Sequence, residues 1–291
     1  MNTSTMHWTT LVDAATLAAR LDDPQLRLFD ARATAAVQGT ADMVAAYAAA
    51  HLPGAQYADL NLDLSDLSKA GQGRHPLPDD EVFARKLGLW GVSPAHQVVV
   101  YDAGDGSMAA ARFWWLLKLL GHERVAVLDG GLAAWRAAGL PETAEIRTQT
   151  EEPPYPAQFD RAQILAVATV RERVESESGW LVDVRAAERF RGEVEPIDPI
   201  AGHVPGALNR PFALNLRDGR FKPKEELRAE LAALLGSREP SEMAAMCGSG
   251  VTACHLLLAL EHAGLHGAKV FAGSWSGWIS DPSRPVAKGA P

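Results

Sequence analysis

The chain has 291 residues, 47% hydrophobic and 22% charged, with 25 Gly and 18 Pro. At about 150 residues per domain this is two globular domains, too apolar for disorder and too evenly mixed for a fibre. Twenty-eight Lys+Arg against 36 Asp+Glu leave a net charge of −8, which excludes a general nucleic-acid binder but not a local basic pocket.

In chain order, 26–30 (LRLFD), 98–102 (VVVYD) and 125–129 (VAVLD) read as buried strands ending in an acid. Between them 108–120 (MAAARFWWLLKLL) reads as a largely buried helix, and 131–138 as a second. The order recurs downstream: strands at 180–184 (WLVDV) and 243–246 (MAAM), a helix over 251–263, then 269–272 leading into GSWSGW. Strands alternating with helices predict an α/β fold in which a mainly parallel sheet is flanked by helices. No apolar run approaches the roughly 18–20 residues that span a bilayer. The opening MNTSTMHWTT has neither a basic nor an apolar leader segment, so a cytoplasmic protein without a membrane partner is expected.

Landmarks pair across the two halves. Asp30 in FDAR matches Asp183 in VDVR, His51 in HLPGA matches His203 in HVPGA, and Trp135 in GGLAAW matches Trp278 in GSWSGW. A spacing near 150 residues is far beyond solenoid repeats of 20–50, so the chain is a domain duplication. The expected division is an N-terminal domain over 7–140, a polar, Pro-rich linker over 141–160, and a C-terminal domain over 161–285. The HxPGA histidines, present in both halves, are expected to be structural. One pairing is a mismatch: Cys247 in AMCGS stands where the first half has Asp102 in VYDAG. Only the second half offers a nucleophile.

The chain's two cysteines, Cys247 and Cys254, cannot form a disulfide framework or a four-cysteine zinc site. If both lay on one helix they would sit two turns apart, about 10 Å along its axis, too far to bridge. Cys254, within ACHLLLAL, reads as a small core hydrophobe. Cys247 sits in Cys247-Gly248-Ser249-Gly250-Val251-Thr252, whose two glycines permit a tight turn. A helix starting near Val251 or Thr252 would aim unpaired N–H groups into that loop. Cysteines in such settings titrate at roughly 3.5–7.5 rather than 8.5. A phosphatase would carry an arginine six positions after the cysteine to clamp phosphate; Ala253 stands there. A cysteine protease or acyltransferase would need a histidine partner, for which His75, His203 and His255 are candidates, with His255 expected on the helix surface.

The segments CGSGVTACH, HLPGA with HVPGA, GRHPLP and GSWSGW together resemble the tandem-domain rhodanese family. The resemblance runs from about residue 8 to residue 285 and implies sulfurtransferase activity. In that family the second-domain cysteine takes a sulfane sulfur from a small anionic donor as a persulfide. It then passes the sulfur to cyanide or a thiol acceptor, thioredoxin among the candidates, with neither metal nor organic cofactor. The resemblance assigns Cys247 as nucleophile and places Gly248, Gly250, Val251 and Thr252 around the donor. Within the family, CGSGVTA is similar to the mercaptopyruvate enzymes, whereas the thiosulfate enzymes more often carry a basic pair, as in CRKG. The mercaptopyruvate pattern has two carboxylate-binding arginines. The first matches Arg189 in ERFRG; the second falls on Ile197 in EPID, leaving Arg185 and Arg191 as candidates to replace it. The family's serine–histidine–aspartate relay matches Ser249 and His75, with the acidic position falling on Asn61 between Asp59 and Asp63. A non-catalytic binding module is the reading from another class, and the intact cysteine loop argues against it.

Overall fold

A computed structural model describes residues 7–33 and 40–290; positions 1–6 of the opening segment lie outside them. Contacts divide the chain into two units. Residues up to Leu64 with Pro78–Phe159 form the first, and Ser65–Leu77 with residues from Asp160 onward form the second. This is not the contiguous division expected. Residues 65–77 belong to the second unit, and the stretch expected to be a linker up to 159 belongs to the first. Its polar, Pro-rich composition conceals two anchors, Tyr155 and Phe159, both buried. Backbone bonds from Glu152 N–H to Gly88 O (2.9 Å) and Tyr155 N–H to Ala84 O (3.0 Å) fix it further.

The first unit contains β1 (Leu11–Val12), α1 (Ala14–Ala18), β2 (Leu26–Asp30), α2 (Thr40–Ala49), β3 (Ala55–Tyr57), α3 (Asp80–Leu89), β4 (Gln97–Tyr101), α4 (Ala109–Leu119), β5 (Val125–Leu128) and α5 (Gly131–Ala137). The second runs β6 (Ile164–Leu165), α6 (Val167–Val174), β7 (Leu181–Asp183), α7 (Ala187–Phe190), β8 (Leu208–Asn209), β9 (Leu216–Arg217), β10 (Arg220–Phe221), α8 (Lys224–Leu235), β11 (Ala244–Met246), α9 (Ala253–His262), β12 (Lys269–Phe271) and α10 (Ser274–Trp278). Strand order is β1-β5-β4-β2-β3 in one sheet and β6-β12-β11-β7-β8 in the other, the same topology twice. Every pairing within these two sheets is parallel, as strands joined by helical crossovers must be. Strands β2, β4 and β5 are buried along their whole length, which is why they read as continuous apolar runs rather than alternating ones.

The order reverses at one place in each sheet. From β2 the chain steps outward to β3, and from β4 it steps the other way to β5; β7 and β11 repeat this. Such a switch point opens a crevice beyond the carboxyl ends of the two strands. In the first unit Asp30 and Asp102 stand there; in the second, Asp183 and Cys247.

Around the crevices the two units repeat their supports. Asp30 pairs with Arg32 and Asp183 with Arg185 (2.6 Å), all four buried. His51 Nδ1 bonds Tyr47 O and stacks on Tyr47, while His203 Nδ1 bonds Phe190 O and stacks on Phe190. Both HxPGA histidines are therefore buried packing residues. Trp135 and Trp278 close equivalent cores and are fully buried. Trp114, Trp115 and Trp275 are buried too.

Candidate active site

Cys247 is the first residue after β11, whose Met246 pairs with Asp183 on β7. Its thiol is free and buried, 4% exposed. Gly250 has φ +81°, and a Cβ there would lie 2.2 Å from Ala272 O, so only glycine allows the loop to close. That closure brings Gly250 N–H to 3.2 Å from Cys247 Sγ. Helix α9 begins at Ala253, slightly later than expected. The N–H groups of Gly248, Ser249, Val251 and Thr252 donate to no partner among the described residues. Buried amides are almost always paired, so a row of unpaired ones beside a thiol is a cradle awaiting an anion.

Helix α10 holds the loop from behind. Ser274 Oγ accepts from Cys247 N–H (3.0 Å) and donates to Phe271 O (2.9 Å). Trp275 N–H donates to Cys247 O (3.0 Å), and Ser276 N–H to Gly248 O (2.9 Å). Ser274 has φ +51°, one of two non-glycine residues in the left-handed region among those described. Its counterpart Gly131 has φ +52°. A serine accepts a conformation that favours glycine because its hydroxyl is needed there. Sequence reasoning missed Ser274; its alignment with a glycine in the other half was the available signal.

Residues 65–77 supply the facing groups. His75 Nδ1 and Ser249 Oγ are 2.8 Å apart, both buried. Ser276 Oγ accepts the Arg74 N–H at 2.9 Å, locking this segment to α10. Asn61 is in the first unit, in the loop after β3, where its N–H donates to the Asp59 carboxylate (2.7 Å). Asp59 is buried and also accepts from Leu62 N–H.

The arginines separate sharply. Arg189 Nη2 and Nε engage Glu195 at 2.7 and 3.2 Å, and Nη2 lies 3.4 Å from Asp198. Arg185 is buried and committed to Asp183, Glu195 and Gly202 O. Arg191 pairs with Glu193 on the surface. Arg185 is enclosed, its side chain 1% exposed against 17% for Arg189, Arg191 lies on the surface, and Ile197 is exposed. Arg74, noticed only as part of GRHPLP, reaches Asp198 at 2.5 Å. A Cβ on Gly248 would lie 3.1 Å from Arg74 Nη2 and 3.7 Å from Arg189 Nη2. Burial raises the Asp198 carboxyl, against the opposing pull of Arg74. Burial also opposes ionisation of Glu195, but its bond to Arg189 and those from the Asp198 and Ile197 N–H groups hold it below the usual range.

The cysteine-free crevice differs. Asp102 accepts from Gly104, Gly106 and Met108 N–H groups at 3.1, 2.9 and 3.2 Å. Burial nevertheless raises its carboxyl to about 6, those N–H bonds lowering it only in part. His255, expected on the helix surface, is fully buried, its ring 4.6 Å from that of Phe221. The β9–β10 hairpin covers that helix face, which the helix alone does not reveal.

The rhodanese-like domain profile matches residues 13–138 and again 166–281. The chain belongs to the rhodanese family. This rhodanese is 48% identical over 282 residues to a protein of Pseudomonas aeruginosa named "Probable 3-mercaptopyruvate sulfurtransferase", covering 96% of this chain and 98% of that one. It is 33% identical over 293 residues to the "Thiosulfate/3-mercaptopyruvate sulfurtransferase 2" of Arabidopsis thaliana, covering 93% and 84%. Among solved structures it resembles SseA of Escherichia coli, described as a 3-mercaptopyruvate sulfotransferase, with a TM-score of 0.78 and 33% identity over 92% of this chain and 100% of that one. In this rhodanese the second-unit crevice alone combines a thiol with unpaired amides. Among the described residues no helix is long and apolar enough to cross a membrane.

Proposed function

We infer that this rhodanese is a sulfurtransferase that moves a sulfane sulfur from 3-mercaptopyruvate to a thiol or cyanide through a persulfide on Cys247. The observation carrying this reading is the loop itself: a buried thiol beside four amides that have no partner among the described residues. The Cys247 thiolate attacks the donor sulfur; an S–S bond forms as the donor C–S bond breaks. The leaving enolate of pyruvate takes up a proton, and the Ser249 hydroxyl, hydrogen-bonded to His75, is the group we assign to deliver it. Arg189 serves the donor carboxylate, and the amides of Gly248, Gly250, Val251 and Thr252 shelter the developing charge. We keep Asn61 at the acidic position of the relay pattern, where an amide in place of a carboxylate does not balance a positive charge. The acceptor then attacks the outer sulfur and Cys247 leaves as thiolate. The donor is a small anion; cyanide, small thiols and thioredoxin are the acceptors to compare. A cytoplasmic setting suits two free cysteines. We also divide the roles by half: a cysteine-free N-terminal domain and a catalytic C-terminal one.

The chemistry favours mercaptopyruvate because Gly248 and Ser249 bring no positive charge to the loop, whereas the dianion thiosulfate benefits from one. Thiosulfate is the second reading, supported by the relative named for both donors. Incubation with each donor followed by intact-mass measurement tests the proposal. A gain of one sulfur atom, lost in Cys247→Ser, is expected; no gain with either donor would overturn it. Turnover with cyanide then ranks the donors.

A further inference from the structure

Asp198 bridges two guanidinium groups. Its Oδ1 meets Arg74 Nη1 at 2.5 Å and its Oδ2 lies 3.4 Å from Arg189 Nη2. Both guanidiniums also approach Gly248, at 3.1 and 3.7 Å from where its Cβ would be, and Asp198 Oδ2 is 3.7 Å from the same point. Gly248 directly follows the cysteine. An internal carboxylate thus sits between two arginines beside the nucleophile, in the arrangement that a 2-oxo acid's carboxylate would require.

Arg74 is held for this position. Gly73 has φ +98°, and a Cβ there would lie 2.6 Å from Gly273 O, so the backbone passes directly against the start of α10. Ser276 Oγ takes the Arg74 N–H. The Arg74 Nε is buried and has no hydrogen-bond partner among the described residues, an arrangement rare for a guanidinium donor unless a ligand completes it. The charges close on themselves: Arg74 and Arg189 against Asp198 and Glu195. An arriving anion meets a neutral cluster in which one carboxylate already holds the fork.

We propose that Arg74 is the second arm of the donor-carboxylate clamp, replacing the charge missing at Ile197, and that Asp198 is an internal competitor that sets donor affinity and selects against dianions. This rests on the sulfurtransferase reading above. Arg74 thereby supplies, from a segment distant in sequence, the second guanidinium of the clamp, its charge balanced by Asp198. A side chain at Gly248 would require the Arg74 guanidinium, 3.1 Å from the Cβ position, to give way by a few tenths of an ångström.

The test is steady-state kinetics of the full-length protein with mercaptopyruvate and with thiosulfate, plus competitive inhibition by pyruvate, which carries the same 2-oxo carboxylate without the sulfur. In Arg74→Gln the KM for mercaptopyruvate and the pyruvate inhibition constant should each rise about tenfold or more, with kcat changed less than about threefold, the pattern of lost ground-state binding. Arg74→Lys keeps the charge without the fork and should fall between. In Asp198→Asn the KM for thiosulfate should fall by about threefold or more, and by a larger factor than that for mercaptopyruvate, since repulsion grows with the charge of the donor. An unchanged pyruvate inhibition constant in Arg74→Gln, or thiosulfate KM unaffected in a folded Asp198→Asn, overturns the inference. If Arg74→Gln does not fold, Arg74→Lys and Asp198→Asn decide it alone. Absence of turnover with both donors in the unmodified protein overturns the sulfurtransferase reading instead, which keeps the two failures distinct.

Discussion

The loops after β4 and β11 start from the same place in the same topology, yet they dispose of their amide donors in opposite ways. In the first unit, Asp102 turns its carboxylate onto three N–H groups of its own loop, those of Gly104, Gly106 and Met108. In the second, among the described residues, Cys247 Sγ accepts the Gly250 N–H and four neighbouring amides have no partner. A loop of this kind can satisfy its own donors or offer them to a ligand. The carriers behind the loops are shared: Leu132 N–H bonds Asp102 O and Trp275 N–H bonds Cys247 O, both at 3.0 Å. The duplicated scaffold is therefore not what distinguishes the halves; the loop residues and the arginines beside them are.

The largest expected effect tests whether a cysteine alone makes a site. Cys247→Ser should lower cyanide-acceptor turnover by at least about a thousandfold, as loss of a covalent nucleophile does. Adding Asp102→Cys to that variant should not restore turnover. Recovery to even a few per cent of the original rate would break the comparison. Next comes an exchange at the matched left-handed positions. Gly131→Ser places a Cβ 2.2 Å from Gly104 O and should cost roughly 3 kcal/mol or more in denaturant unfolding, an overpacking clash with no room to relax. Equal stability of that variant and the parent would show that the two turns are more alike than their coordinates.

Asp102 carries a pH signature. Its folded-state carboxyl is raised to about 6 from 3.8, so the folded protein keeps a proton that the unfolded chain loses between those values. Stability from this group is full at low pH and is lost as pH climbs through about 6. At roughly 1.4 kcal/mol per unit, the loss reaches up to about 3 kcal/mol. Relative to Asp102→Asn, the parent's stability should decline from pH 4 to 6 and then level off. A flat difference across that range would mean that the three N–H bonds outweigh burial. The smallest effect is Ser274→Gly, which matches the first unit and removes the hydroxyl on Cys247 N–H. Turnover should fall about tenfold through loss of the bond to Cys247 N–H, while relief of the left-handed strain offsets much of the stability lost with the bonds to Cys247 N–H and Phe271 O. A drop in stability equal to the loss of activity would make Ser274 merely a structural residue.

Much of this is legible in the sequence. The strands at 26–30, 98–102 and 125–129 were visible because both faces of each are buried, and their observed ends differ by at most one residue. The repeat was readable from paired motifs, and it placed Asp102 opposite Cys247. His75 with Ser249 came from the family pattern, as did Arg189; the structure brings His75 and Ser249 to 2.8 Å. What failed had one cause. Composition marked 141–160 as a linker, but Tyr155 and Phe159 are buried in the first unit. Position on a helix suggested that His255 was exposed, but a hairpin covers it. Arg185 and Arg191 are near Ile197 in sequence, yet Arg185 is enclosed against Asp183 and Arg191 pairs with Glu193 on the surface.

By itself, then, the amino-acid sequence determined the order of the central strands and their helices, the duplication, and the single half with a nucleophile. These are written in local period, in turn residues and in motifs a few residues long. Only the tertiary structure decided which amides stay unpaired, that Ser274 braces Cys247, and that Arg74 and Asp198 meet 124 positions apart. That convergence depends on residues 65–77, which lie between β3 and α3 in sequence yet belong to the second unit, and neither residue's immediate neighbours carry that information.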